Sequence, residues 1–379
     1  MRRRSRHLIW IKIYPPKELD DLACWPIVPS LGKAQNARME NYLSSQASAP
    51  ISEPAKLIDR FGRQLSYLRV SVTDKCDLRC SYCMPSDFRG FEEPANWLSF
   101  AEIERVVAAF GRLGVARVRL TGGEPLLRRN LPQLVERLAA CEGIRDISLS
   151  TNATQLHKHA TALYQAGVSR INVSLDSLDK ACMQTITGRD SLASIMAGLQ
   201  AGKQAGFSPI KLNMVVMAGL NDHEVQAMAE FCFREGFILR LIEAMPMGRT
   251  GQQSPYRDLG PIRDQLVRQF DLIPAAEELG GGPARYWTSR DGRATIGFIS
   301  PISQHFCATC NRVRLAVDGT LYMCLGQDER FELRPLLRAG ISDDELAQVI
   351  RQAIELKPER HEFSSQPHKV IRFMSQTGG

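Results

Sequence analysis

Six of the ten cysteines in this chain stand in two groups of three, and that grouping is its strongest chemical signal. Cys76, Cys80 and Cys83 follow a Cys-x3-Cys-x2-Cys spacing; Cys307, Cys310 and Cys324 follow Cys-x2-Cys-x13-Cys. Thiolates at this density suit a soft metal. A zinc site built from one chain usually draws four ligands in two pairs, whereas a 4Fe-4S cluster held by three cysteines keeps one iron open. An open iron can chelate a small molecule through paired nitrogen and oxygen donors, so two triads imply one ligand site each. His305, two residues before Cys307, leaves a Cys3His zinc site as an alternative for the second group. Cys24, Cys141, Cys182 and Cys232 are scattered and read as small buried apolar residues.

Other chemistry clusters near these groups. In Cys310-Asn311-Arg312-Val313-Arg314, strand alternation puts Arg312 and Arg314 on one face beside the second group. Guanidinium forks there suit phosphate or purine recognition. Thr121-Gly122-Gly123-Glu124-Pro125 closes the strand after the first cysteine loop, and its glycines permit backbone that side chains would block. The chain ends in Gly378-Gly379, which can thread where a Cβ would clash.

Elements able to position these residues are readable. Short β-branched runs at 68–73, 115–121, 146–151, 170–176, 210–216 and 239–245 alternate with amphipathic helical stretches at 100–113, 131–141, 154–166, 191–205 and 222–235. Ser99 and Glu102 form a helix-start signal. Such alternation implies parallel βαβ units, either an open doubly wound sheet or a partial barrel, with functional groups at the C-terminal ends of the strands. After about residue 250 the alternation stops. Gly280-Gly281-Gly282-Pro283, shorter strands, the second cysteine group and a helix near 343–356 follow. The expected division is an N-terminal extension at 1–60, largely mobile and with Met39 as an alternative start, a core at 61–250 and a smaller region at 251–379.

Composition narrows the classes. With 379 residues, 44% hydrophobic and 23% charged, the chain can bury a sizeable core and is neither disordered nor fibrous. Net charge is +7, but Arg2, Arg3, Arg4, Arg6 and Lys12 supply five of those charges, leaving +2 for residues 14–379. No global polyanion-binding field follows. No apolar run reaches 18 residues, and the basic start is cut by Lys12 and Pro15 before any cleavage site, so a cytoplasmic location is expected.

The first cysteine loop, following the first strand and with Tyr82 before its third cysteine, resembles that of the radical S-adenosylmethionine (SAM) enzymes. Residues 121–125 resemble that superfamily's Gly-Gly-Glu-Pro element. The resemblance implies an α/β fold: a partial (β/α)6 TIM-like barrel with a smaller C-terminal region carrying a second Fe-S cluster. Two triads, the Asn311–Arg314 run and Gly378-Gly379 narrow the likeness to the MoaA family, the GTP 3',8-cyclases of molybdenum cofactor biosynthesis, over about residues 60–379.

That likeness implies two 4Fe-4S clusters and SAM as cofactors and GTP as substrate. Cys76, Cys80 and Cys83 would hold the cluster that binds SAM; Cys307, Cys310 and Cys324 would hold the one that binds guanine. Tyr82, Gly123, Ser174 and Met245 would contact SAM, and Arg69, Arg119, Ser150, Lys211, Arg312, Val313 and Arg314 would contact GTP. Gly378 and Gly379 would act in turnover. Ser150 stands where the family has threonine, so Thr151 is an alternative; Asn152-Ala153 replaces Asn-Gly, for which a local backbone adjustment is expected. The implied lyase reaction cleaves SAM reductively to a 5'-deoxyadenosyl radical, removes hydrogen from C3' of GTP and closes that carbon onto C8, giving 3',8-cyclo-7,8-dihydro-GTP. Implied partners are a flavodoxin- or ferredoxin-like electron donor and the downstream cyclic pyranopterin monophosphate synthase, to which product would be handed. Nucleic acid and membrane are not expected partners, and the oligomeric state stays open, a homodimer included. Two rivals remain at this point. A radical SAM peptide-maturation enzyme usually carries more C-terminal cysteines. A non-catalytic Zn or Fe-S nucleic-acid-binding module needs a basic stripe interleaved with aromatics.

Overall fold

Six short strands between residues 67 and 243 each carry one apolar and one polar face, and this alternation shapes the sheet. The computed structural model describes residues 56–276, 279 and 281–378. Its strands are β1 (Tyr67–Ser71), β2 (Arg117–Thr121), β3 (Asp146–Thr151), β4 (Val168–Ser174), β5 (Ile210–Val216) and β6 (Ile238–Glu243). They pair in parallel and in sequence order. A doubly wound sheet would reverse its order at a switch point; this one is singly wound, as a partial (β/α)6 barrel requires.

The apolar face looks toward the helices. Leu68, Val70, Val118, Leu120, Leu149, Ile171, Val173, Leu212 and Leu239 are fully buried in one continuous core. Helices α1 (Phe100–Arg112), α2 (Leu131–Ala139), α3 (Leu156–Ala166), α4 (Lys180–Thr187), α5 (Leu192–Ala205) and α6 (Val225–Glu235) connect the strands. Helix α1 starts on the expected capping box: the Ser99 hydroxyl accepts from the Glu102 N–H at 3.2 Å and the Glu102 carboxylate accepts from the Ser99 N–H at 2.7 Å. The eight-residue α4 went unread in the sequence because it is too short to show a periodic stripe.

Residues beyond 250 extend the sheet at both edges. β7 (Leu272–Pro274), β8 (Arg285–Ser289) and β9 (Thr295–Ile299) join through β9, parallel to β6. β10 (Arg312–Leu315), β11 (Thr320–Tyr322) and β12 (Arg330–Glu332) join through β10, parallel to β1. The helix Asp343–Ile354 is tied to α1 by the ion pairs Arg105–Asp343 and Arg112–Asp344. Among the described residues no helix is long and apolar enough to cross a membrane.

Two expectations need correction. Residues 1–55, with Met39, lie outside the described residues, but the end of the expected extension belongs to the fold. Leu57 is a core residue whose N–H donates to Leu113 O at 3.0 Å, and Asp59, 4% exposed, accepts from Arg63. At 152–153 the backbone does not adjust: Ala153 keeps φ at +61°, a conformation costing an L-residue about 1–2 kcal/mol. Bonds from Ala153 N–H to Thr151 Oγ1 and from Thr154 N–H to Asn152 Oδ1 hold the turn.

Candidate functional site

Strand direction alone separates the two cysteine groups. The loop with Cys76, Cys80 and Cys83 leaves the C-terminal end of β1. β10 runs parallel to β1, with Arg312 beside Tyr67, so Cys310 sits at the opposite, N-terminal end; antiparallel β11 returns there and delivers Cys324. At about 3.3 Å per residue, a five-residue strand puts roughly 15 Å of barrel lumen between the two loops.

The first loop is packed against the glycine turn. Gly123 N–H donates to Thr73 O at 2.7 Å, and a Cβ on Gly122 or Gly123 would lie 2.1 Å from Thr73 O or 2.3 Å from Lys75 O. Any side chain would therefore push the cysteine loop off the sheet. Fully buried Glu124 accepts from Thr151 Oγ1 at 2.6 Å, Leu126 N–H at 3.0 Å and Asn152 N–H at 2.6 Å, fastening this turn to the end of β3. Burial outweighs those bonds and lifts its carboxyl to about 7. Tyr82 donates to Asp176 Oδ2 at 2.8 Å, linking the loop to the chain just past Ser174, and burial raises Asp176 to about 6. Met245 packs in the same small apolar cluster as Cys83. The thiols fit an iron–sulfur cluster: all three are free, and burial raises each, Cys83 to about 12, so they stay neutral until metal takes up the thiolate charge.

The polar face of the sheet lines the lumen, and it is cationic. Register aligns Arg314, Arg69, Arg119, Ser148 and Arg170 across β10, β1, β2, β3 and β4; Ser150, Asn172 and Lys211 align one step higher, and Asn213 with Arg240. The sheet curls enough for Arg119 on β2 to act on Lys211 and Arg240 on β5 and β6. Among the described residues, Asp146 pairs with Arg170 and Arg117, while Arg69, Arg119, Lys211, Arg240, Arg312 and Arg314 form no ion pair. Burial, reinforced by Arg314 and Arg119, pulls Arg69 well below the usual arginine value; burial with Arg240, Arg170 and Arg119 brings Lys211 down to about 7. Arg69 Nε, Arg170 Nε, Arg240 Nε and Asn213 Oδ1 are buried without a partner. Buried unpaired cations are costly, so this lumen is built for a polyanion.

Two GTP expectations are refined here. For Val313, alternation turns the side chain to the opposite face of β10, 1% exposed in the core opposite Leu68, which leaves its backbone as the part that borders the lumen. Ser150 lies on the lumen face, whereas Thr151 points away to Glu124.

At the far end, the Lys357 ammonium lies 3.6 Å from Cys310 Sγ. Burial would raise that thiol, but Lys357 and Arg312 outweigh it and bring it down to about 7. His305, Cys307 and His361 bring donor atoms within 4.8 Å of one another, the geometry of the zinc alternative, but an ion there would leave Cys310 and Cys324 unused. The C-terminal tail enters from the other end. Arg314 Nη1 donates to Gly378 O at 2.6 Å, and a Cβ on Gly378, at φ +74°, would meet Thr121 Cγ2 at 2.3 Å. Gly379 lies outside the described residues.

Comparison with known proteins agrees with this geometry. The profile described as Radical SAM superfamily matches residues 70–232, and Molybdenum Cofactor Synthesis C matches 237–363. The chain is 46% identical over 330 residues to the GTP 3',8-cyclase of Hydrogenovibrio crunogenus, covering 85% of this chain and 99% of that one. It is 45% identical over 327 residues to GTP 3',8-cyclase 1 of Pseudomonas aeruginosa, covering 85% and 99%. The chain belongs to the GTP 3',8-cyclase family. Among solved structures, Streptococcus suis SuiB matches with a TM-score of 0.56 at 14% identity, covering 90% of this chain and 86% of that one, a likeness of fold.

As in other GTP 3',8-cyclases, two 4Fe-4S clusters and SAM are the cofactors, and the two cysteine loops are the groups able to hold the clusters. The structure brings Tyr82, Gly123, Ser174 and Met245 to the first loop's end of the barrel, and Arg69, Arg119, Ser150, Lys211, Arg312 and Arg314 to the lumen wall. Arg170, Asn213 and Arg240 share that wall and escaped the sequence reading. Each is a polar residue at the inward parity of its strand, and only the register sets it beside Arg119 and Lys211.

Proposed function

We propose that this chain is a GTP 3',8-cyclase that binds the triphosphate on the lumen cations, between a SAM site at one end and a guanine site at the other. The observation that carries the reading is the lumen wall, where buried Lys211 and Arg240, and Arg69 with its buried Nε, lack carboxylate partners among the described residues. Held by Cys76, Cys80 and Cys83, a 4Fe-4S cluster would supply the electron for reductive cleavage of SAM to methionine and a 5'-deoxyadenosyl radical able to take hydrogen from C3' of GTP. Closure of that carbon onto C8 would then need one further electron from the reductant and a proton to give the 7,8-dihydro product. The protein's own work is placement. Arg69, Arg119, Lys211, Arg312 and Arg314 neutralise phosphate, with Ser150 as a hydroxyl contact, while Tyr82, Gly123, Ser174 and Met245 seat SAM. The Gly378 carbonyl accepts from Arg314, and the tail fills space that water would otherwise enter. A flavodoxin- or ferredoxin-like protein is the electron donor, and cyclic pyranopterin monophosphate synthase takes the product. The reaction belongs to the cytoplasm, where the thiols stay reduced. Anaerobic incubation with GTP, SAM and dithionite should yield 5'-deoxyadenosine and 3',8-cyclo-7,8-dihydro-GTP by mass spectrometry. Cleavage of SAM with GTP untouched would refute the substrate assignment.

Lys211 makes GTP binding pH-dependent. Its value in the free protein is about 7, and a bound triphosphate raises it, so above pH 7 binding takes up a proton. Affinity should then fall with rising pH by up to about tenfold per unit, the limit for one proton. Titration calorimetry from pH 7 to 9 checks this; Lys211→Met should bind more weakly and lose the slope.

A further inference from the structure

The second cysteine loop is supported from behind by three buried cations, each attached to a different ligand segment. Arg63 Nη1 donates to Cys307 O at 2.9 Å, and Arg372 Nη2 donates to Cys324 O at 3.1 Å. Lys357, 2% exposed, donates from Nζ to Arg312 O at 2.9 Å and Met323 O at 2.7 Å, besides its contact with Cys310 Sγ. One ammonium thus joins the segment after Cys310 to the segment before Cys324, with all three of its protons used.

Charge separates Lys357 from its two companions. Arg63 is paired with Asp59, and Arg372 with Asp328. Among the described residues, no carboxylate pairs with Lys357. A buried ammonium without a counter-charge is costly, so a fold retains one where a ligand completes it. The groups facing it are the thiols of Cys310, Cys324 and Cys307, on each of which its charge acts. A cluster held by three thiolates is an anion, and its potential follows net charge and hydrogen bonds to sulfur.

We propose that Lys357 is the positioning residue and built-in counter-charge of the second cluster, locking the Cys310 and Cys324 segments together and raising the potential of the cluster they hold. It acts through the cluster and does not touch substrate. This rests on the reading of Cys307, Cys310 and Cys324 as cluster ligands, which fails separately if the reconstituted protein shows only one cluster signal.

The test uses reconstituted protein, with EPR redox titration and chelator-driven iron loss as readouts. Lys357→Gln keeps a donor for the same carbonyls but drops the charge. It should shift the second cluster's midpoint to lower potential and speed that cluster's loss about 10- to 100-fold, the usual effect of losing an outer-shell partner. The first cluster's midpoint should stay in place as the internal control. Lys357→Arg, which keeps the charge, should retain the native midpoint. If Lys357→Gln recovers too little cluster to titrate, Lys357→Arg decides alone: a native midpoint supports the proposal and a lowered one overturns it. An unchanged midpoint and loss rate in Lys357→Gln also overturn it.

Discussion

A Cys80→Ser variant should release no 5'-deoxyadenosine when reduced with dithionite in the presence of SAM and GTP. Desolvation of the thiol strongly opposes its ionisation, so it becomes a ligand only by giving its charge to iron. Serine is a harder and far weaker acid, and it cannot replace the soft thiolate. With two ligands left, the first cluster has no stable seat, while the second loop, about 15 Å away at the other end of the barrel, is untouched. Iron analysis should show roughly half the metal retained, and chromatography should show SAM intact. Near-normal cleavage would remove the first loop from the chemistry.

A variant ending at Thr377 should lose cyclised product while keeping both clusters and GTP binding. The tail is held where little else fits: Gly378 adopts φ +74°, its carbonyl accepts from Arg314 at 2.6 Å, and Thr121 leaves no room for a Cβ. Gly378→Ala should therefore be nearly as damaging as the deletion, combining a left-handed conformation with a methyl–methyl clash. Removing two glycines uncovers little apolar surface, so the melting temperature should hardly move. Arg314 released from Gly378 remains free to bind phosphate, and GTP affinity should hold or rise. Undiminished product would make the tail a passive end; loss of iron or GTP binding would make it structural.

Much of this site was legible because its signals are local. The Cys-x3-Cys-x2-Cys loop and the Gly-Gly-Glu turn follow strands whose alternation is plain, and Arg312 and Arg314 differ from Val313 by the same parity rule that the structure obeys. What escaped depends on distant pairing. Only the parallel pairing of β10 with β1 puts the second loop at the opposite end of the barrel, and no local pattern announces it. Asp59 looked like part of an extension because its partner Arg63 has its purpose at Cys307, far along the chain. Arg170 and Arg240 looked like ordinary strand residues until register set them beside Arg119 and Lys211. Ala153 shows local preference overruled: Thr151, Asn152 and Glu124 bind the turn firmly enough to hold an alanine at positive φ.

The central claim is that the lumen presents C3' of GTP to the radical generated at the first loop. The direct measurement uses GTP carrying deuterium at C3', with SAM and dithionite under anaerobic conditions, and mass analysis of both products. The account predicts 5'-deoxyadenosine that has gained deuterium, formed alongside 3',8-cyclo-7,8-dihydro-GTP that has lost it. Unlabelled 5'-deoxyadenosine, with deuterium still on the nucleotide, would contradict it.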